Sequence, residues 1–584
     1  MNKELLKIKK ESKNTVKEKS IVSNRLSHLR LIIFILLLII LFISSSSTNY
    51  IGLIIFSIIL SIFIVIIIIH EKIIKEIKKK EFYIKIITKY ENRCNNKWKE
   101  EKSENIENLP NFVNDLDIIN GNSLFKYLNF TYSLGGKKHL IDSLILKNKT
   151  SIKEITETQE AINELKEKEK FILDTEFLLS EIDKIEETDF KEYLYFFDLN
   201  KKSSKIELII SSVISLITLI IAILVIFKII PFAIFLLFVF IQIIHSYSYK
   251  LRHNEELTII NKCSKKYSNL NKLYLYISNQ DFISKKNKYL KEKIKLGSDT
   301  LKEINKISNL DNLRYNFITN IIFTIFFSLN FQIIYKYNKL LKEKSTDFKN
   351  SITALEELEK IISLTTIPLV KNNISLPKIV DELTIITKAI KHPLLKEDEC
   401  ISNDFTSKKE ISIITGSNMS GKTSFMKTIA INAILSYNGT YVNAESLSIP
   451  LTKLFTSINV KDDINNGIST FFGELKRIKD ILDYSKKSNE KLIIFIDEIF
   501  KGTNYNDRIL GAKETLKQLS QLNCIVFLTT HDFELCEIEN KKIKNYHFAE
   551  KYKNNKIYFD YKIKTGRCKT TNAKYLMKEM GIIK

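Results

Sequence analysis

Four short stretches of this chain carry residue types at spacings suited to phosphoryl chemistry. In the first, GSNMSGKTSF, Gly416, Gly421, Lys422 and Thr423 fit the pattern G-x-x-x-x-G-K-[ST]. An apolar ISIIT precedes it and SFMKTIAINAIL, apolar at helical spacing, follows, so the context is strand, loop, helix. In that context the backbone amides of Gly416, Ser417, Asn418, Met419, Ser420, Gly421, Lys422, Thr423 and Ser424 can surround the phosphates of ATP, and the new helix turns its positive end to the same anion. Lys422 would reach the β- and γ-phosphates, and the Thr423 hydroxyl would bind Mg²⁺. The second stretch, KLIIFIDEIFKGTN, is an apolar strand ending in two carboxylates. Asp497 would hold the Mg²⁺ through water and Glu498 would polarise the attacking water as catalytic base. The third, CIVFLTTHD, brings His531 to a strand end where it can sense the γ-phosphate. The fourth, DDINNGISTFFGEL, sets Gly467, Ser469 and Thr470 just before a helix, where they serve either a second anion or the helix cap.

These residues need a scaffold, and the chain changes texture to supply one. From about residue 409, short apolar strands alternate with helices, which predicts an α/β domain with a parallel sheet. Upstream, 151–200 and 251–310 alternate Leu or Ile with Lys and Glu at helical spacing, with almost no Gly or Pro, as long lever helices do. Apolar runs at 31–46 and 51–70, and at about 208–227 and 231–246, approach the ~20 residues that cross a bilayer, and predict two membrane hairpins. Lys and Arg crowd 1–30, 72–80 and 249–253 while the hairpin tips carry at most one Lys, which predicts a multi-pass protein of the cell membrane with both termini and the ATPase domain in the cytoplasm. A further apolar segment, 317–335, is interrupted by Asn320, Asn330 and Gln332 and is expected to be a buried or interfacial helix. The predicted order is a basic tail (1–30), a hairpin (31–70), a charged helical linker (71–114), an all-α core (115–204), the second hairpin (205–247), further lever helices (248–384) and a P-loop ATPase domain of ABC type (385–584).

The formal charge of +23 favours phosphate-rich partners, either nucleic acid or anionic lipid. Six cysteines lie far apart with no C-x-x-C pair, which argues against a disulfide framework or a zinc site.

The stretches ITGSNMSGKTSFMKTIAINAIL, GTYVNAESLSI, DDINNGISTFFGEL, IDEIFKGTNYNDR and FLTTHDFEL, in that order and spacing, resemble the ATPase domain of the MutS family of DNA mismatch-repair proteins. Ser417, Ser420 and Thr423 stand where that family usually has Pro, Gly and Ser. The resemblance implies an ATP hydrolase using ATP and Mg²⁺, in which Ser469 and Thr470 contact the γ-phosphate held by a second subunit, so a homodimer follows. It also implies DNA as partner, and residues 120–168 look like the start of that family's helical core. Several parts depart from the family. A tail, a hairpin and a linker occupy the space before residue 115, so no mismatch-reading or connector domain is expected, and the Phe-x-Glu wedge is missing. The C-terminal helix–turn–helix of many relatives is also not expected. Where relatives stack an aromatic on adenine, this chain has ECISND, so Ile401 is expected to give apolar contact instead. The resulting expectation is a membrane-anchored ATPase binding mismatched, damaged or branched DNA, partly through Lys262, Lys265, Lys266, Lys285, Lys286 and Lys288. An ABC-type transporter ATPase and a nucleotide-switched membrane tether are the alternatives. The transporter fits less well, because four spans in two separated hairpins and GISTF replace six spans and an LSGGQ-like signature.

Overall fold

The structure is a computed structural model that describes residues 2–45, 50–182, 205–458, 460, 469–553 and 556–568. Its helices, in chain order, begin with α1 (Lys3–Ser45), α2 (Tyr50–Cys94), α3 (Asn111–Asp115), α4 (Leu124–Leu128), α5 (Leu134–Leu144), α6 (Ile152–Lys166) and α7 (Glu169–Ile182). They continue with α8 (Lys205–Ile226), α9 (Phe232–Arg252), α10 (Asn254–Ser278), α11 (Lys285–Asn312), α12 (Phe317–Phe327), α13 (Leu329–Leu364) and α14 (Thr366–Val370). Three more, α15 (Lys422–Tyr437), α16 (Thr470–Lys487) and α17 (Tyr505–Gln521), alternate with strands. The strands are β1 (Lys378–Val380), β2 (Thr384–Ile390), β3 (Asn403–Lys408), β4 (Ile411–Thr415), β5 (Ser446–Pro450), β6 (Lys453–Ser457), β7 (Leu492–Asp497), β8 (Cys524–Thr529), β9 (Ile543–Lys553) and β10 (Lys556–Thr565). The chain divides into two compact units, residues 1–128, 168–173 and 365–584 in one and residues 129–167 and 174–364 in the other.

The first unit contains a six-stranded sheet in the order β10-β9-β4-β8-β7-β6. Its strands from β9 to β6 run parallel, and β10 returns antiparallel to β9. Strands β4, β7 and β8 are almost wholly apolar because helices cover both faces, as a parallel sheet requires. On one face Ile478 and Ile481 of α16 and Ala512, Leu516 and Leu519 of α17 close over Ile494, Val526 and Leu528. The same unit holds a four-stranded sheet in the order β1-β5-β2-β3, with β5 inserted between β1 and β2.

The same unit carries α1 and α2, which lie against each other. Each is a single helix, about 65 Å long at 1.5 Å per residue. The basic N-terminal residues are therefore part of the helix that enters the apolar run, and the charged linker is a continuation of the second run. The two polar halves are tied by ion pairs between Lys9 and Glu91 and between Lys19 and Glu76. At the boundary with the apolar halves, Ser23 Oγ and Arg30 Nη1 meet the two ring nitrogens of His70 at 2.8 and 2.9 Å. Further along α2, Tyr83, Ile86, Ile87 and Tyr90 are buried, and α14 packs on the helix. Arg93, fully buried, ends this face: its guanidinium donates to the carbonyls of Lys89, Lys126 and Tyr127 and forms a two-pronged pair with Glu101.

The second unit is built on α13, against which α5, α6 and α11 pack. Glu359, buried on α13, accepts from the amides of Tyr132 and Ser133 and from the Ser133 hydroxyl, and Ser133 in turn caps α5. Gly297 allows α11 to approach α13 closely, since a Cβ there would lie 2.2 Å from Ser351 Oγ. Among the described residues four helices, two in each unit, are long and apolar enough to cross a membrane, and their most apolar windows are at most 22% buried.

The segment 317–335, expected as one helix, is two. It breaks at Ser328, which takes a left-handed conformation at φ 50°, and α12 and α13 meet at 77°. The break is held by hydroxyls: Ser328 Oγ lies 2.9 Å from Ser211 Oγ and 2.7 Å from Ser215 Oγ, and Gln242 Nε2 donates to Ser215 Oγ and the Thr324 carbonyl. Asn330, one of the residues that interrupt the run, is buried and donates to Ser246 Oγ. These polar groups bond one another between α8, α9 and the helices on either side of Ser328, while Phe317, Ile318 and Phe327 remain exposed.

Removing the Arg93 side chain leaves Glu101 and three carbonyls without their donor, so Arg93→Ala is expected to cost the first unit about 3–5 kcal/mol. The protein's single tryptophan, Trp98, is fully buried with its ring 5.2 Å from that of Tyr127 and reports the loss directly. An unfolding midpoint followed by Trp98 fluorescence that did not move would contradict this role.

Candidate functional site

The carboxyl ends of β4, β7 and β8 bring together the sequence-predicted residues. Because β7 and β8 pair with Asp497 opposite Thr529, the carboxylate and a threonine hydroxyl arrive at one level, and Thr529 Oγ1 donates to Asp497. The loop after β4 curls in front of them. Gly416 (φ 149°) and Gly421 (φ 107°) occupy positions that side chains rarely adopt, and a Cβ on Gly416 would sit 2.8 Å from the Phe548 carbonyl. Lys422 opens α15 and is buried at 6% exposure, with Nζ donating to the carbonyls of Gly416 (2.7 Å) and Ser417 (3.1 Å). Burial lowers its pKa, against the attraction of Glu498 and Asp497. A cation held among its own loop carbonyls is placed to exchange them for phosphate oxygens.

Thr423 Oγ1 lies 3.0 and 3.1 Å from the two oxygens of Asp497. A hydroxyl and a carboxylate beside an anion cradle are the protein ligands Mg²⁺ takes when phosphates and water complete its octahedron. Among the described residues no group of three His, Cys, Asp or Glu could hold a metal alone, so the ion fits here only together with a nucleotide. Glu498 follows in a left-handed conformation (φ 54°), its amide bound to Thr529 O at 3.1 Å and Thr529 Oγ1 at 3.2 Å. That turn lifts its carboxylate off the strand towards His531, whose Nε2 is 3.2 Å from Glu498 Oε1, 2.9 Å from Asn418 Oδ1 and 3.2 Å from Lys422 Nζ. The hydrogen bond from His531 holds the Glu498 carboxyl below the usual carboxylate range, in part offset by burial, so it is ionised and able to accept a proton at neutral pH. Arg508 of α17 grips Asp532 with two bonds of 2.9 and 2.7 Å and so fixes the residue next to His531.

A cavity of about 540 Å³ opens from this cradle, lined on its polar side by Ser417 to Ser424 and Glu498. Ile401 reaches its rim at 42% exposure, and His392, Phe548 and Tyr561 complete an apolar side that the sequence motifs did not reveal. Desolvation, with the charges of Lys427, Lys371 and Lys99, holds the His392 imidazole down at about 3, so it is neutral, and its Nδ1 accepts from Leu394 N at 3.2 Å. Phe548 and Tyr561 come from the β9–β10 hairpin, more than a hundred residues from the loop they face, and no local pattern around them signals the role. Ser417 Oγ also reaches that hairpin, donating to buried Glu550.

Ser469 and Thr470 do not line the cavity. Ser469 is exposed at the start of α16, where its hydroxyl accepts from Phe472 N at 3.3 Å, so within one chain it is a helix cap. Gly467 lies outside the described residues.

Residues 412–579 match the family described as MutS domain V, a P-loop ATPase domain. The chain is 32% identical over 228 residues to the DNA mismatch repair protein MutS of Aquifex pyrophilus, covering 38% of this chain and 26% of that protein. It is 32% identical over 239 residues to the MutS of Clostridium kluyveri (39% and 27%), and 27% identical over 227 residues to that of Thermus thermophilus (38% and 27%). The chain thus spans about a quarter of the length of these relatives.

Two outcomes check the site. Glu498→Gln should keep ATP affinity while phosphate release falls ~10²- to 10⁴-fold, the range of a positioned base; undiminished turnover would remove the residue from that role. Tyr561→Ala should weaken ATP binding by about 1–3 kcal/mol through loss of an aromatic face for the base, while leaving inorganic tripolyphosphate binding unchanged.

Proposed function

Because residues 412–579 make this chain a member of the MutS family, we propose that it is a membrane-anchored ATPase that binds ATP and Mg²⁺, closes as a homodimer in the cell membrane and binds DNA. The observation that carries the enzymatic part is the convergence of Lys422, Thr423, Asp497, Glu498 and His531 at one sheet edge, with Ser469 exposed and away from that cavity. A site complete in base, metal ligands and phosphate cradle, but without its signature hydroxyl, is the half-site that a second copy completes. Each subunit would present Ser469 and Thr470 to the γ-phosphate held by its partner.

The membrane part is supported by the four long apolar helices, whose exposed faces are Ile, Leu, Val and Phe. Lys and Arg flank them on the side of both termini, which favours a cytoplasmic ATPase body. The DNA part is supported by the relatives and by a basic surface on α11, where Lys285 and Lys288 are exposed. Lys286, expected among these contacts, is instead bound to Glu357 at 2.8 Å and Thr158 at 3.0 Å and acts within the helical core. The side chains of Lys262, Lys265 and Lys266 lie outside the described ones.

A nucleotide-switched membrane tether without DNA is the second reading. What favours it is the apolar surface of α8, α9 and α12 in the second unit, built for hydrocarbon rather than phosphate.

Ser469→Ala and Lys422→Ala homodimers should each lose turnover, and mixing them should restore it at one of the two composite sites; no restoration would refute the composite site. A membrane-impermeant maleimide applied from outside should label Ile229→Cys at the tip between α8 and α9, and protection of that position would contradict the topology. Full-length protein in detergent should retard homoduplex, mismatched or four-way-junction DNA at low salt, with affinity falling steeply as salt rises. Absence of binding to all three would leave the tether.

A further inference from the structure

One buried carboxylate ties the signature helix to the part of the chain that leaves the α1–α2 hairpin. Asp115, the last residue of α3, is 3% exposed, and a single oxygen, Oδ2, accepts three bonds. They come from Thr456 Oγ1 at 2.7 Å, Ile458 N at 2.9 Å and Arg477 Nη1 at 2.6 Å. Thr456 and Ile458 lie at the end of β6, the last elements before the signature stretch, and Arg477 lies two turns into α16, just after it. The same Arg477 nitrogen also donates to the Ile458 carbonyl at 3.3 Å. Asp115 therefore grips the chain on both sides of the signature stretch, and it does so from outside residues 412–579. The rest of α16 is already fastened to its own catalytic loop. The Glu474 carboxylate accepts from the backbone amides of Phe500 and Lys501, and the Phe471 ring meets that of Phe500 edge-on at 6.0 Å. Between α2 and α3 the chain runs through the Arg93–Glu101 pair and buried Trp98, so Asp115 lies twenty-one residues beyond the end of a rigidly mounted helix.

We propose that Asp115, through Arg477, is the positioning residue that sets Ser469 and Thr470 for the partner subunit's nucleotide, and that it links this setting to the hairpin-borne segment of its own chain. The inference rests on the composite-site reading above. Asp115 touches no nucleotide; it acts through the helix whose first turn does. A carboxylate that ties the end of β6 to α16 fixes where that helix begins, and a displacement of about 1 Å at a reacting group costs up to ~100-fold in rate.

The test uses the full-length protein and mixed dimers. Asp115→Asn keeps the shape but loses the charge that holds Arg477, and its homodimer should hydrolyse ATP ~10- to 100-fold more slowly. Mixed with Lys422→Ala, which supplies an intact signature to the Asp115→Asn subunit's own cradle, it should recover as much turnover as the Ser469→Ala and Lys422→Ala pair. Mixed with Ser469→Ala, whose cradle depends on the Asp115→Asn signature, it should stay slow. Arg477→Lys, which keeps the charge without the planar guanidinium, should fall between wild type and Asp115→Asn. Equal turnover in the two mixtures, or an unaffected Asp115→Asn homodimer, overturns the proposal while the Ser469→Ala and Lys422→Ala pair still complements. Failure of that pair to complement instead removes the composite site itself.

Discussion

The chemistry of this chain depends on strands β4, β8 and β7 running parallel and in step. Parallel strands discharge all their carboxyl ends at one edge, and the pairing of Asp497 with Thr529 leaves no slack in where the Asp497 carboxylate stands. A slip by one residue would turn Asp497 to the opposite face of the sheet. The interior of the three strands is almost wholly apolar, which is why such a slip is forbidden: it would expose or clash the Ile, Val, Leu and Phe side chains on both faces. Hydrophobic register and catalytic geometry are in this sense one constraint. The buried ammonium of Lys422 adds the complementary pressure, a cation kept from water that an incoming polyphosphate relieves.

A second constraint acts at the other end of the first unit. Arg93 is a buried charge satisfied by three carbonyls and a carboxylate, and it fixes α2 to the segment carrying Trp98, Lys126 and Tyr127. The helix that bears the most apolar run of the chain is thereby joined to the segment that follows it by a polar knot at Arg93. The polar cluster at Ser328 plays a comparable part in the second unit, where hydroxyls and amides hold three apolar helices at one point.

How much of this was legible in the sequence follows from the range of each interaction. Lys422, Thr423, Asp497, Glu498 and His531 could be read because each sits at a strand end marked by its own apolar run, and local sequence decides strand ends. Tyr561 and Phe548 could not, since only the return of β10 along β9 carries them to the loop after β4. Asp115 looked like one more acid in a polar stretch; its partners are more than three hundred residues away. The division drawn at residue 30 between a basic tail and an apolar span reflects a change of composition, whereas the helix continues because the polar half of α1 finds the polar half of α2. The break at Ser328 was hidden for the opposite reason, as the local apolar pattern favours a helix straight through it and only neighbours on α8 and α9 make the bend stable. Lys286 counted as free charge until the structure placed Glu357 beside it.

The unbroken course of α2 also carries a mechanical consequence. On the membrane-anchored reading, the angle of that helix in the bilayer becomes the attitude of everything fixed to its far end. Apolar segments longer or shorter than the local hydrocarbon thickness adjust by tilting, and from residue 71 to residue 94 the shaft runs for about 36 Å. A change in tilt of about 10° would carry its end sideways by about 6 Å, comparable to one turn of helix. Lipid thickness then becomes an input to how two such bodies meet, and the same enzyme would find its partner more or less readily in thick and thin bilayers.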